Sequence, residues 1–213
     1  MKRKQPVKKI ITVVATLVAI AGLLFFAAVS PETKLGYLLF RCVYASPVSK
    51  KSLLETYRSN LWTCEGGRIP ELTDQFLCSR LESASPQAEI DAIANFYALQ
   101  ASGCEGKRVL SLSDGAKQKV IGSIMQNLDG YGVWQVGQAL LLVEELRRGQ
   151  EIWKGSFASI NAQESANWTV WWQKRGLNKV KALYRKWWKA QTPWVMKKIH
   201  NPLAGSGIET IGP

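Results

Sequence analysis

The sequence predicts an all-α chain: one N-terminal transmembrane helix, then an extracytoplasmic helical domain built from solenoid-like helix-turn-helix repeats of about 40 residues. Three observations predict it. Residues 10–29, IITVVATLVAIAGLLFFAAV, carry no charge and only two hydroxyls, Thr12 and Thr16. Beyond them, apolar residues recur at spacings of three and four, and few stretches alternate with period two. An eleven-residue segment starting at Cys64, CEGGRIPELTD, also returns forty positions later as CEGKRVLSLSD from Cys104, with six positions identical.

The apolar run comes first. A helix of 20 residues covers about 30 Å, the thickness of a bilayer's hydrocarbon core. Lys2, Arg3, Lys4, Lys8 and Lys9 precede it, and the first acid, Glu32, follows it. The positive-inside bias therefore places the tail 1–9 in the cytoplasm, 10–29 across the inner (cytoplasmic) membrane as a single-pass signal anchor, and the rest in the periplasm or its extracytoplasmic equivalent. A cleavable signal peptide is the rival reading. Ala28-Val29-Ser30 offers a small-x-small site, but Pro31 follows it directly and the apolar core exceeds the usual 7–15 residues.

Helices are then expected at 32–44, 47–62, 71–83, 87–102, 114–128, 133–148, 162–174 and 177–191. The breaks carry turn residues such as Ser46-Pro47, Gly66-Gly67, Ser85-Pro86, Gly130, Gly149 and Gly176. Residues 31–160 form the repeat domain, with copies at about 47–86 and 87–126. Each copy runs helix, CEG loop, then a Thr-Asp or Ser-Asp step whose side chains can accept bonds from the first N–H groups of the next helix. Tyr57 matches Tyr97, and Leu53 matches Ile93. Residues 130–149 begin a third, degenerate unit that has lost the CEG motif. The tail 201–213, rich in Gly and Pro, is expected to be flexible.

The formal net charge of +12 is unevenly placed. Residues 31–164 carry fourteen basic and fifteen acidic residues, whereas 165–208 carry nine basic and none acidic. Nucleic acid is disfavoured as a partner, because the N-terminal charge already serves topology. The cysteines Cys42, Cys64, Cys78 and Cys104 all follow the anchor, and an even count in an oxidising compartment predicts two disulfides of open connectivity. No C-x2-C pair exists to seed a metal site, and no cofactor motif is present.

Candidate catalytic groups are carboxylates. Glu65 and Asp74 resemble the acid/base pair of phage-type lysozymes, in which one carboxylic acid protonates the glycosidic oxygen. Arg80 stands where that family places a Thr, and Glu105 with Asp114 repeats the same spacing, which fits a structural loop better than a unique active site. Glu105 ahead of Gly122-Ser123-Ile124-Met125-Gln126 also resembles lytic transglycosylases, but the Glu-Ser pair of that family falls downstream here, at Glu164-Ser165. A single histidine, His200, argues against a Ser/His or Cys/His nucleophile.

The last informative stretch is 161–200. Six of the nine tryptophans lie within it: Trp168, Trp171, Trp172, Trp187, Trp188 and Trp194. From Leu177 onward, Val180, Leu183, Tyr184, Trp187 and Trp188 share one helical face, while Lys179, Lys181, Arg185, Lys186 and Lys189 fall largely on the other. Either the aromatics cap the core and the lysines are solvated, or the tryptophans and lysines together contact a membrane surface or an anionic polymer. The chain thus reads as a membrane-anchored interaction or scaffolding protein, with a protein partner, anionic lipid or cell-wall polymer as its contact. The alternative is a membrane-tethered peptidoglycan hydrolase using Glu65 or Glu105.

Overall fold

Residues 87–99 and 133–148 carry apolar side chains around most of their circumference, and a helix of that kind is stable only when surrounded. The computed structural model describes residues 5–28, 69, 71–83, 85–99, 104, 106–152 and 162–212. Its elements are α1 (Gln5–Ala28), α2 (Glu71–Glu82), α3 (Gln87–Leu99), a 3-10 turn (Arg108–Ser111), α4 (Asp114–Asn127), α5 (Val133–Arg148), α6 (Ala162–Arg175), α7 (Leu177–Lys189) and α8 (Trp194–Ile199). No strand occurs among the described residues. The helices expected from 71 to 191 are present as α2 to α7; those expected at 32–44 and 47–62 lie outside the described residues.

α3 and α5 form the centre. Ile90, Ile93, Phe96 and Tyr97 of α3 and Val136, Leu140, Leu142, Val143 and Leu146 of α5 are all buried. α3 packs against α2, α4 and α5, while α5 also carries α6 and α8 on its far side. Phe96 and Tyr97 meet edge to face at 5.3 Å.

Two expectations are corrected. Among the described residues no helix is long and apolar enough to cross a membrane. The signal anchor at 10–29, the inner-membrane localisation with a periplasmic domain and the integral-membrane assignment are withdrawn together. Val13, Leu17 and Leu23 of α1 are exposed, and Thr16 Oγ1 donates to the Thr12 carbonyl at 2.9 Å.

The second correction concerns the disulfides. Cys78 is a free, buried thiol, so the two intramolecular disulfides expected from four cysteines cannot both form. The reason is placement: Cys78 sits on α2 facing Asp74 and Tyr97, 3.7 Å from the Asp74 carboxylate and 3.4 Å from the Tyr97 hydroxyl. Cys104 is buried; Cys42 and Cys64 lie outside the described residues.

The C-terminal tail also differs from expectation. Leu203, Ile208 and Ile211 are buried within the core. Asn201 Oδ1 accepts from Leu203 N, and Ser206 Oγ donates to the Leu203 carbonyl, so local side-chain bonds shape the turn that inserts them.

Candidate functional site

The acid-free stretch from 165 onward is built on α6, α7, α8 and the tail, and its aromatic and basic residues part company. On α6, Trp168, Trp171 and Trp172 are buried. Their rings form one cluster, with centroids 4.5 to 5.8 Å apart. The Trp168 indole lies against the α5 backbone at Gly137, where an added Cβ would stand 2.4 Å from the ring. Only glycine permits that approach. These three residues, expected as candidates for membrane or polymer contact, are packed against the core instead.

Gly176, at φ +79°, turns the chain from α6 into α7 and donates its N–H to the Trp172 carbonyl at 2.8 Å. α7 then lays Val180, Tyr184 and Trp187 inward. Trp188 is partly buried, its ring 3.4 Å from the position a Cβ would take on Gly122 of α4. The Tyr184 hydroxyl donates to Glu144 Oε1 at 3.0 Å. Burial first, and then the Glu144 charge, push this phenol well above its ordinary pKa. Glu144 also takes Arg147 and Arg148, and Arg147 Nη1 donates to the Lys198 carbonyl at 2.7 Å. One buried carboxylate thereby fastens α7 and α8 to α5.

The basic residues divide in their turn. Lys181 and Arg185 reach Asp129, on the α4–α5 turn, at 3.5 and 2.6 Å. The Arg185 hydrogen bond, with help from Lys181, holds the Asp129 carboxyl below the usual carboxylate range. Lys198 pairs with Asp114 at 3.0 Å. Lys197 folds back over α7: its ammonium donates to the carbonyls of Trp187 (3.3 Å), Trp188 and Ala190 (2.7 Å) and lies over the Trp188 ring at 5.0 Å. A cation thus satisfies the last carbonyls of α7, where the helix dipole is negative. Lys174, Lys179, Lys186 and Lys189 stay exposed. No described acid lies within ion-pair distance of these four.

Between the C-terminal half of α7 and the chain after α8 lies a cleft of about 300 Å³. Leu183, Trp187 and Pro202 give it apolar walls, and Lys186, Lys197 and His200 line it with nitrogen; no acidic residue does. Sequence reasoning found Lys186 and Trp187 but passed over His200 and Lys197. The signal was present, since both fall inside the acid-free stretch.

The candidate catalytic glutamates Glu65 and Glu105 lie outside the described residues. Asp74, the second carboxylate of that pairing, is 3% exposed. Its Oδ1 accepts from the Tyr97 hydroxyl and the Cys78 thiol, and its Oδ2 accepts from Arg108 N at 2.7 Å. Burial, with the neighbouring Asp74 charge, pushes the Cys78 thiol up to about 12, so it holds its proton and donates. With its oxygens occupied, Asp74 is a structural acceptor. Among the described residues no group of His, Cys, Asp and Glu could hold a metal ion.

Comparison with protein families, with characterised proteins and with solved structures finds no match to this chain.

Proposed function

We propose that this chain is an interaction and scaffolding module that takes an anionic macromolecular partner on the basic surface of α6 and α7. The observation that carries the reading is the division just described. The tryptophans of the segment are committed to the core, while Lys174, Lys179, Lys186 and Lys189 stand exposed in a stretch without an acid. Charges of one sign on a shared surface sum to a field that draws an opposite partner, and that field weakens as salt shortens the screening length to about 8 Å at physiological ionic strength.

The test is binding of the full chain to long-chain polyphosphate by calorimetry at rising salt, beside a variant with all four lysines changed to Gln. Affinity that falls with salt and is lost in the variant supports the reading. Binding that is absent at low salt, or indifferent to the four substitutions, removes it.

A further inference from the structure

We propose that the cleft between α7 and the C-terminal turn is a binding site for a small amphiphilic anion, its head group held by Lys186 and His200 and its apolar body lying on Trp187, Leu183 and Pro202. The inference rests on the reading of the basic segment above and names a specific site within it.

The cleft has the chemistry of a ligand site in miniature. Such sites are concave, mostly apolar and furnished with a few polar groups that fix orientation, and they run from about 300 Å³ upward. A volume of about 300 Å³ exceeds what an inorganic ion fills, which is why the ligand needs an apolar body. The charge of the lining selects its sign: three of the lining residues are basic or imidazole and none is acidic.

The end of α7 would ordinarily oppose an anion, because a helix C-terminus presents unpaired carbonyls and a partial negative charge. Here Lys197 occupies that position. Its ammonium is engaged by the carbonyls of Trp187, Trp188 and Ala190, so the negative pole is neutralised from within the fold. Lys186 is exposed at the mouth and in no described ion pair. His200 bonds through Nδ1 to the Met196 carbonyl at 3.3 Å, which fixes the ring. An anionic head at this mouth meets the Lys186 ammonium and no repelling carboxylate in the lining, and His200, its Nδ1–H given to Met196, offers Nε2–H as a second donor in the imidazolium form.

The experiment is calorimetric titration of the full chain with monomeric octyl phosphate, with inorganic phosphate and octyl glucoside as the two halves of the ligand. The variants are Lys186→Gln with His200→Gln, and Lys117→Gln on α4, outside the cleft lining. Octyl phosphate binding that weakens about tenfold or more in the double variant and is unchanged in Lys117→Gln is the expected result, with each half-ligand binding far more weakly. Phosphatidate-doped phosphatidylcholine vesicles form a further arm: affinity for them assigns the head group to lipid, and affinity for the monomer alone assigns it to a soluble amphiphile. No octyl phosphate binding, equal binding of octyl glucoside, or indifference to the double variant overturns the site. If polyphosphate is still bound in that case, the basic-surface reading stands without the cleft; if it is not, both fall.

Discussion

Asp74 and Asp114 occupy the same position in two copies of one eleven-residue motif, yet one is at the heart of the packing and the other is at its surface. Asp74 is 3% exposed and accepts from Tyr97, Cys78 and the backbone of Arg108, which belongs to the loop of the second copy. Asp114 is exposed and paired with Lys198, from the C-terminal segment. Tyr97 and the Arg108 loop cover Asp74, and Lys198 of the Trp/Lys segment reaches Asp114 from the surface. A position in a repeat therefore takes its role from what stacks on it and not from its letter.

The helix entries differ in the same way. α2 begins at Glu71, three residues ahead of Asp74, whereas α4 begins at Asp114 itself. Pro70 precedes Glu71 in the first copy, and its fixed φ suits the entrance to a helix. Leu110 stands at that position in the second copy, and the chain passes through a 3-10 turn before Ser113 caps α4 by accepting from Ala116 N.

The comparison is broken most strongly at Asp74. Asp74→Ala strands the buried Tyr97 hydroxyl and Arg108 N–H, so urea unfolding should show a loss of about 3 kcal/mol or more. Asp114→Ala removes one exposed ion pair and should stay within about 1 kcal/mol. Equal losses would mean that the two copies are structurally equivalent after all.

The next effect belongs to the Trp/Lys segment. Gly137→Ala drives a methyl into the Trp168 ring and should cost about 1–3 kcal/mol, with a shift in tryptophan emission. Gly115→Ala on α4, where a Cβ meets nothing within 4 Å, should instead stabilise the chain by up to about 1 kcal/mol. Lys197→Met leaves the Trp187, Trp188 and Ala190 carbonyls without their ammonium and should cost about 1–2 kcal/mol by thermal unfolding, whereas Lys198→Met should change little.

The smallest effect is a pH dependence at the start of the second copy's helix. Glu82 accepts from the Ser113 hydroxyl and backbone N–H, both at 2.6 Å. Those two bonds hold its carboxyl below the ordinary range. A carboxyl lowered in the folded state contributes stability above its unfolded value, about 4.3, and that contribution is lost as pH falls through the folded value. Glu82→Gln should therefore flatten the acid limb of the stability profile and leave the region above pH 6 parallel to that of the unmodified chain.

The helices of the domain were legible because their apolar residues fall at spacings of three and four and their ends carry Gly, Pro and Ser. The buried role of Asp74 was not, since an acid in a repeated Thr-Asp step reads as a cap. The available clue was the pairing of Asp74 with Cys78 one turn later, together with the Tyr97 that recurs at repeat spacing. α8 and the inserted tail were missed for a different reason. Leu203, Ile208 and Ile211 are isolated apolar residues among Gly and Pro and have no periodicity; what orders them is contact with a core already formed. In residues 161–200 the two readings of the tryptophans were separable only by packing, because an amphipathic face looks the same whether a core or a partner covers it. The apolar run at 10–29 satisfied the length rule as a string, but among the described residues no helix meets the requirement for a span.

One C-terminal segment divides its labour: its tryptophans, with Lys181 and Lys197, hold the fold, while Lys174, Lys179, Lys186 and Lys189 stand exposed. The measurement that tests it most directly is urea unfolding of the variant carrying Lys174→Gln, Lys179→Gln, Lys186→Gln and Lys189→Gln, run beside Trp168→Ala. The account predicts a midpoint for the lysine variant indistinguishable from that of the unmodified chain, and a loss of about 3–5 kcal/mol for Trp168→Ala. A lysine variant that unfolds as readily as the tryptophan variant would show that these lysines belong to the fold, and would contradict the account.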